Sequence, residues 1–193
     1  MKARLTELDY HLAAEVLGCE VAAIQAVVRV EAAGAGFLPD GRPKVLFERH
    51  WFRRLTGGRF DAGHPSLSNV EPGGYAYGRT AEARGLAEWS RLDEAIRLDQ
   101  TAALQSASWG LPQIMGFNHA LCGVNLETFV QQMRESETAQ LSLMVEFLLN
   151  RGLADELQRL DWAGFARIYN GPAYRRNRYD KKLAEAYNKF KGH

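Results

Sequence analysis

Val21, Ile24 and Val28 stand three and four residues apart, and the next position on the same stripe is Glu31. That spacing predicts an amphipathic helix from about Glu20 to Ala32, with one face turned into a core. Gly34 and Gly36 follow and predict its end. The apolar face therefore finishes on a carboxylate, in the last turn of a helix. Such a chain either frays there and leaves Glu31 in water, or holds it half-buried at the edge of the core. In the second case burial disfavours the ionised form, and the negative end of the helix dipole pushes the same way. A glutamate that keeps its proton near neutral pH is equipped to act as a general acid.

Helical spacing recurs along the chain. Thr6 is a candidate N-cap for a helix with Leu8, Leu12 and Val16 on one face and Gly18 at its end. Thr80 to Leu104 carries Trp89, Leu92, Ile96 and Ala103 on an inner face. Glu135 to Arg151 carries Leu143, Met144, Phe147 and Leu148, and Gly152 ends it. Asp161 caps a helix through Trp162, Phe165, Ile168 and Tyr169, and a last helix from about Asp180 turns Leu183, Tyr187 and Phe190 inward. Val45-Leu46-Phe47 is a short buried segment, strand or helix start. The class expected is mainly α, folded as one compact domain over residues 1–193. Gly57 to Gly78 is irregular and rich in glycine and proline, with Tyr75 and Tyr77 at its far end; it is either a binding loop or a tether.

A net charge of +1 argues against a general nucleic-acid binder. The balance is uneven, because Arg175, Arg176, Arg178, Lys181, Lys182, Lys189 and Lys191 face only Asp180 and Glu185 in the last twenty residues. That basic helix is either a solvated face or a contact for an anionic surface. Cys19 and Cys122 form no disulfide framework and have no metal-like spacing, which fits synthesis in a reducing compartment. The N-terminus lacks the apolar core of a signal peptide, and no apolar run approaches the roughly 18 residues that span a bilayer.

Ser106-Ala107-Ser108-Trp109-Gly110-Leu111-Pro112-Gln113-Ile114-Met115-Gly116-Phe117-Asn118 fits neither a strand alternation nor a helical stripe. Gly110 and Gly116 imply a backbone shaped around something. Trp109 offers a flat apolar face, and Gln113 and Asn118 offer donors and acceptors, a combination suited to sugar rings. The same residues also suit a tight turn packed into the core. Upstream, Glu48 sits with Arg49 and His50 among large aromatics. It is either a second carboxylate near the site or the structural partner of a neighbouring base. No metal-binding spacing occurs, so His50 reads as a core or hydrogen-bonding histidine, and no metal or cofactor is called for.

Three segments now stand in chain order: Glu31 at a helix end, Ser108-Trp109-Gly110-Leu111-Pro112-Gln113-Ile114, and Ile168-Tyr169-Asn170-Gly171-Pro172. The set resembles the motif order of goose-type lysozymes and lytic transglycosylases. With Phe47-Glu48-Arg49-His50-Trp51-Phe52 added, it resembles the phage-endolysin N-acetylmuramidase family from about Leu12 to Tyr187, leaving no room for a separate wall-binding module. The resemblance implies a lysozyme-like two-lobed α fold with a cleft. It implies cleavage of the β-1,4 bond between N-acetylmuramic acid and N-acetylglucosamine in peptidoglycan glycan strands. By position it makes Glu31 the general acid, with Glu48 as a candidate second carboxylate. Ser108, Trp109, Gln113, Tyr169, Asn170 and Tyr75 are then substrate-binding candidates. Asp40 and Asp61 are further carboxylates in the right part of the chain. Pro112 stands where transglycosylases often have Met, and Ala32-Ala33 lack the Ser that often follows the acid. Two other outcomes stay open: a lytic transglycosylase giving 1,6-anhydro ends, and a non-catalytic peptidoglycan binder. A wall substrate without a signal peptide is reconciled by a phage enzyme, expected as a monomer, made in a bacterial host's cytoplasm and released across the inner membrane to reach the wall. The basic C-terminal helix would then touch anionic envelope surfaces.

Overall fold

The computed structural model describes residue 2 and residues 4–31 and 35–192. Helix α1 (Glu7–Leu17) starts as its sequence demands. The Thr6 hydroxyl accepts from the Asp9 amide, the Asp9 carboxylate accepts from the Thr6 amide, and Gly18 closes the helix in the left-handed region. Its buried side is Ala13, Ala14 and Leu17, whereas Leu8, Leu12 and Val16 are exposed, so the larger apolar stripe points outward. The alanines let neighbouring helices approach closely.

Helix α2 (Val21–Glu31) buries Ile24, Val27 and Val28 and ends on Glu31, as expected. Ala32, Ala33 and Gly34, where the helix end was expected, lie outside the described residues. Val45–Phe47 is a strand, β1. It leads into α3 (Arg49–Leu55) and an irregular stretch that runs to α4 (Ala81–Leu98). The spacing predicts one helix from Thr80 to Leu104, but Asp99 divides it into α4 and α5 (Gln100–Gln105) and caps the second, accepting from the Ala102 amide at 3.0 Å.

The motif stretch forms β2 (Ala107–Trp109) and β3 (Ile114–Met115), giving an antiparallel sheet of order β1-β2-β3. Strand alternation was not visible because all three residues of β2 are buried, on both faces. A 3₁₀ helix (Gly116–Cys122) and α6 (Leu126–Glu135) follow. Then come α7 (Glu137–Asn150), α8 (Ala154–Gln158), α9 (Trp162–Tyr169) and α10 (Tyr179–Lys191). One hydrophobic core runs from α1 to α10, and a smaller cluster of Ala23, Ala26, Ala186 and Tyr187 joins α2 to α10. Cys19 and Cys122 are free thiols.

Candidate active site

Antiparallel pairing gives the two faces of the sheet different jobs. Directly opposed residues share a face, and successive residues alternate. Val45, Trp109 and Ile114 form one row across the strands, and all three are buried. Leu46, Ser108 and Met115 form the other. Trp109 therefore presents no face to a sugar: it is 0% exposed. Its indole N–H donates to the Leu104 carbonyl at 3.0 Å, and its ring meets Trp89 edge-on at 5.8 Å. The expectation that Trp109 binds substrate is corrected by the period of the strand, which sends it to the core.

The same alternation places Ser108 on the opposite face. Its hydroxyl donates to Gln113 Oε1 at 3.0 Å, and Gln113 Nε2 donates to the Gly110 carbonyl at 2.8 Å. Ser108 and Gln113 thus shape the turn between β2 and β3. Gly110 and Gly116 are shaped around protein. A Cβ on Gly110 would meet Gln140 and Met133, and one on Gly116 would meet the Leu104 carbonyl. Gln140 was not singled out from the sequence. It is 0% exposed, accepts from the Leu111 amide at 2.7 Å and donates to the Met133 carbonyl at 2.7 Å. The available signal was a lone amide among the apolar residues of α7. One turn earlier, Glu137 accepts from the amides of Leu5 and Gly36.

Residues of α9 connect this turn to Glu31. The Tyr169 hydroxyl donates to the Pro112 carbonyl at 2.8 Å, and its ring stacks on Phe165. Burial first, then the charge of Glu31, pushes the Tyr169 phenol well above its ordinary pKa, so it stays a donor. Asn170, the next residue, donates from Nδ2 to Glu31 Oε1 at 3.0 Å, while its Oδ1 is buried and unpaired among the described residues. Burial raises the pKa of Glu31; the Asn170 hydrogen bond and the Lys182 charge pull it down by less, and the net direction is up. Glu31, Tyr169 and Asn170 are thereby brought together, with Ser108 and Gln113 tied to them through Pro112.

Glu48 belongs to a second group. It follows Leu46 by two residues on the extended end of β1, and its amide donates to the Ser106 carbonyl, so alternation sets it on the Ser108 face. Its side chain is 15% exposed. The Tyr75 hydroxyl donates to Glu48 Oε1 at 3.0 Å, and His50 Nδ1 stands 3.3 Å from Oε2. Burial, reinforced by the Glu48 charge and hydrogen bond, pushes the Tyr75 phenol up to about 12. Arg49 is not the partner of Glu48; it donates to the carbonyls of Glu71 and Pro72. Asp40 and Asp61 drop out as candidates. Asp40 pairs with Arg42 at 2.7 Å, and Asp61 pairs with Arg53 at 2.8 Å and accepts from Ser68.

The irregular stretch before α4 is pinned rather than loose. Glu88, buried on the stripe it shares with Leu92 and Ala95, accepts from the amides of Phe47 and Ala76 and pairs with Arg91 at 2.9 Å. Glu88 thus clamps Tyr75's neighbour to the end of β1. It was missed because its partners are backbone amides 41 and 12 residues away. Among the described residues no three His, Cys, Asp or Glu side chains gather as a metal site requires.

A half-buried glutamate at a helix end with its pKa raised by burial, and a second shielded carboxylate just after β1, are the kind of carboxylates that glycoside hydrolysis uses. The family model for N-acetylmuramidases matches residues 20–191. The crystal structure of a Burkholderia AP3 phage endolysin superposes with a TM-score of 0.87 at 40% identity, covering 98% of this chain and 73% of that one. No curated protein sequence matches. The chain belongs to the N-acetylmuramidase family. It is a glycoside hydrolase acting on peptidoglycan, with the lysozyme-like, mainly α fold expected from its sequence.

Proposed function

We propose that Glu31 is the general acid that protonates the glycosidic oxygen between N-acetylmuramic acid and N-acetylglucosamine. The observation that carries this is its half-buried carboxyl, raised in pKa and held through Oε1 by Asn170. An N–H donor on Oε1 leaves the proton to Oε2, the oxygen free to deliver it. The buried, unpaired Oδ1 of Asn170 is an acceptor for a sugar hydroxyl or acetamide N–H. Tyr169 positions the β2–β3 turn, and Ser108 and Gln113 line the cleft as part of it.

Glu48 is the group that activates water for attack on the oxocarbenium-like centre. Its support is a shielded carboxylate held by a protonated Tyr75 hydroxyl, with His50 alongside. The 193 residues act as one catalytic unit, as a monomer. Synthesis in a host cytoplasm and release to the wall, with Arg175, Arg176 and Lys181 against anionic envelope surfaces, complete the reading.

Mass spectrometry of fragments from purified peptidoglycan tests it. Wild type is expected to release reducing N-acetylmuramic acid ends, Glu31→Gln none while staying folded, and Glu48→Gln the same ends at roughly 10²-fold or lower rate, the usual worth of a general base. Lysis by Glu31→Gln at the wild-type rate removes the acid assignment. Ends of 1,6-anhydro type from wild type remove the water-activating role of Glu48.

A further inference from the structure

Helices α2 and α10 pack through small residues, Ala23 and Ala26 against Ala186 and Tyr187. Beside this contact lies a groove of about 460 Å³, within the usual range for ligand sites. Val30, Ala186 and Phe190 give it an apolar lining, and Arg29, Lys182 and Lys189 give it three cations against one carboxylate, Glu185. Lys182, Glu185 and Lys189 recur at three- and four-residue spacing, so they share one face of α10. The side chains of Arg29 and Lys189 have no ion-pair or hydrogen-bond partner among the described residues. The groove adjoins the site already described through Lys182, which lines it and whose charge acts on Glu31. Arg29 stands two residues before Glu31 on α2, on roughly the opposite side of the helix.

Like charges gathered on a partly apolar wall repel one another and are relieved by an anion. The glycan strand offers none, since its hydroxyls and acetamides are neutral. The anionic part of this substrate is the short peptide carried on the lactyl group of each muramic acid, with free carboxylates and alanine methyls. We propose that this groove binds the peptide stem of the muramyl residue next to the scissile bond. Arg29 and Lys189 pair with its carboxylates, and Val30 and Phe190 take its methyl groups. The inference rests on the reading of Glu31 as the acid, because that places the muramyl residue beside α2.

The test is binding, measured by calorimetry on the Glu31→Gln protein. The probe is the soluble disaccharide-peptide that a muramidase releases, with its carboxylates free or converted to methylamides. The free acid is expected to bind roughly tenfold more tightly than the amide, the size of one or two exposed charge-assisted contacts. Adding Arg29→Gln and Lys189→Gln brings that ratio to about one, whereas adding Arg175→Gln and Arg176→Gln leaves it in place. Equal affinity for the two probes overturns the proposal. So does an equal collapse of the ratio in both double variants, which marks general charge attraction. Failure of the acid assignment is read separately, as glycan fragments released from peptidoglycan by Glu31→Gln.

Discussion

Gly110→Ala separates a turn that is held by the core from one that is merely permitted by glycine. Gly110 has φ of 65°, and a side chain in that region costs about 1–2 kcal/mol. The added Cβ would also sit 2.7 Å from Gln140 Cδ and 2.9 Å from Met133 Sδ. Gln140 has no room to yield without releasing the Leu111 amide and the Met133 carbonyl, both buried with it. Leaving such groups unpaired costs about 1–3 kcal/mol each. The expected loss is therefore about 3–8 kcal/mol, a large share of a typical domain's stability. Gly123→Ala is the internal control. Its φ is 71° and nothing lies within 4 Å of the new Cβ, so only the backbone cost of about 1–2 kcal/mol applies. Urea unfolding followed by tryptophan fluorescence measures both. If the two variants differ by less than about 1 kcal/mol, Gln140 does not hold the turn, and Tyr169, bonded to Pro112, is not positioned through it.

Two further outcomes follow from the same geometry. Asn170→Ala removes a bond that lowers the pKa of Glu31, so that pKa rises further. An acid works only while protonated, so the alkaline limb of the pH–rate profile is expected to move to higher pH; a shift to lower pH, or none, refutes the Asn170–Glu31 coupling. The same sign has a stability counterpart: a carboxyl raised above its ordinary 4.5 imposes no penalty below that value and its full penalty above the folded pKa. Trp109→Ala is expected to cost about 3–5 kcal/mol, as for a buried aromatic, with KM unchanged in the protein that remains folded. A raised KM without loss of stability would return Trp109 to the sugar.

Features carried by local spacing were legible in the sequence. The Thr6 cap, the Gly18 stop and the placement of Glu31 follow from 3.6-residue periodicity and capping chemistry alone. Helix α6 had the same kind of signal, an Asn125 cap and a stripe of Phe129, Val130 and Met133, yet it was not singled out. The outward turn of Leu8, Leu12 and Val16 was not legible, because a stripe says which residues share a face and not which way the face points. Trp109 misled for a related reason. A three-residue strand buried on both sides shows no alternation, so an aromatic beside glycines reads equally well as platform or core. Glu88 and Glu137 were invisible, and the amide of Gln140 pointed to no partner, because each satisfies backbone amides far away in the chain, a relation that tertiary structure alone creates. At the site itself, the half-buried place of Glu31 and the upward direction of its pKa were legible, and the identity of its neighbours came only from the motif order.

Glu31 and the amide that holds it are 139 residues apart. A chain emerging from a ribosome therefore carries Glu31 long before it carries Asn170, and Lys182 comes later still. Glu137 and Gln140, which gather Leu5, Gly36 and Leu111 onto one helical turn, also arrive after every segment they tie. Contacts of such long range form slowly and late. An unfinished copy of this enzyme thus has the Glu31 carboxyl but nothing to hold it, and on the proposed role of Glu31 bond-cutting competence is acquired at the end of synthesis rather than gradually along it.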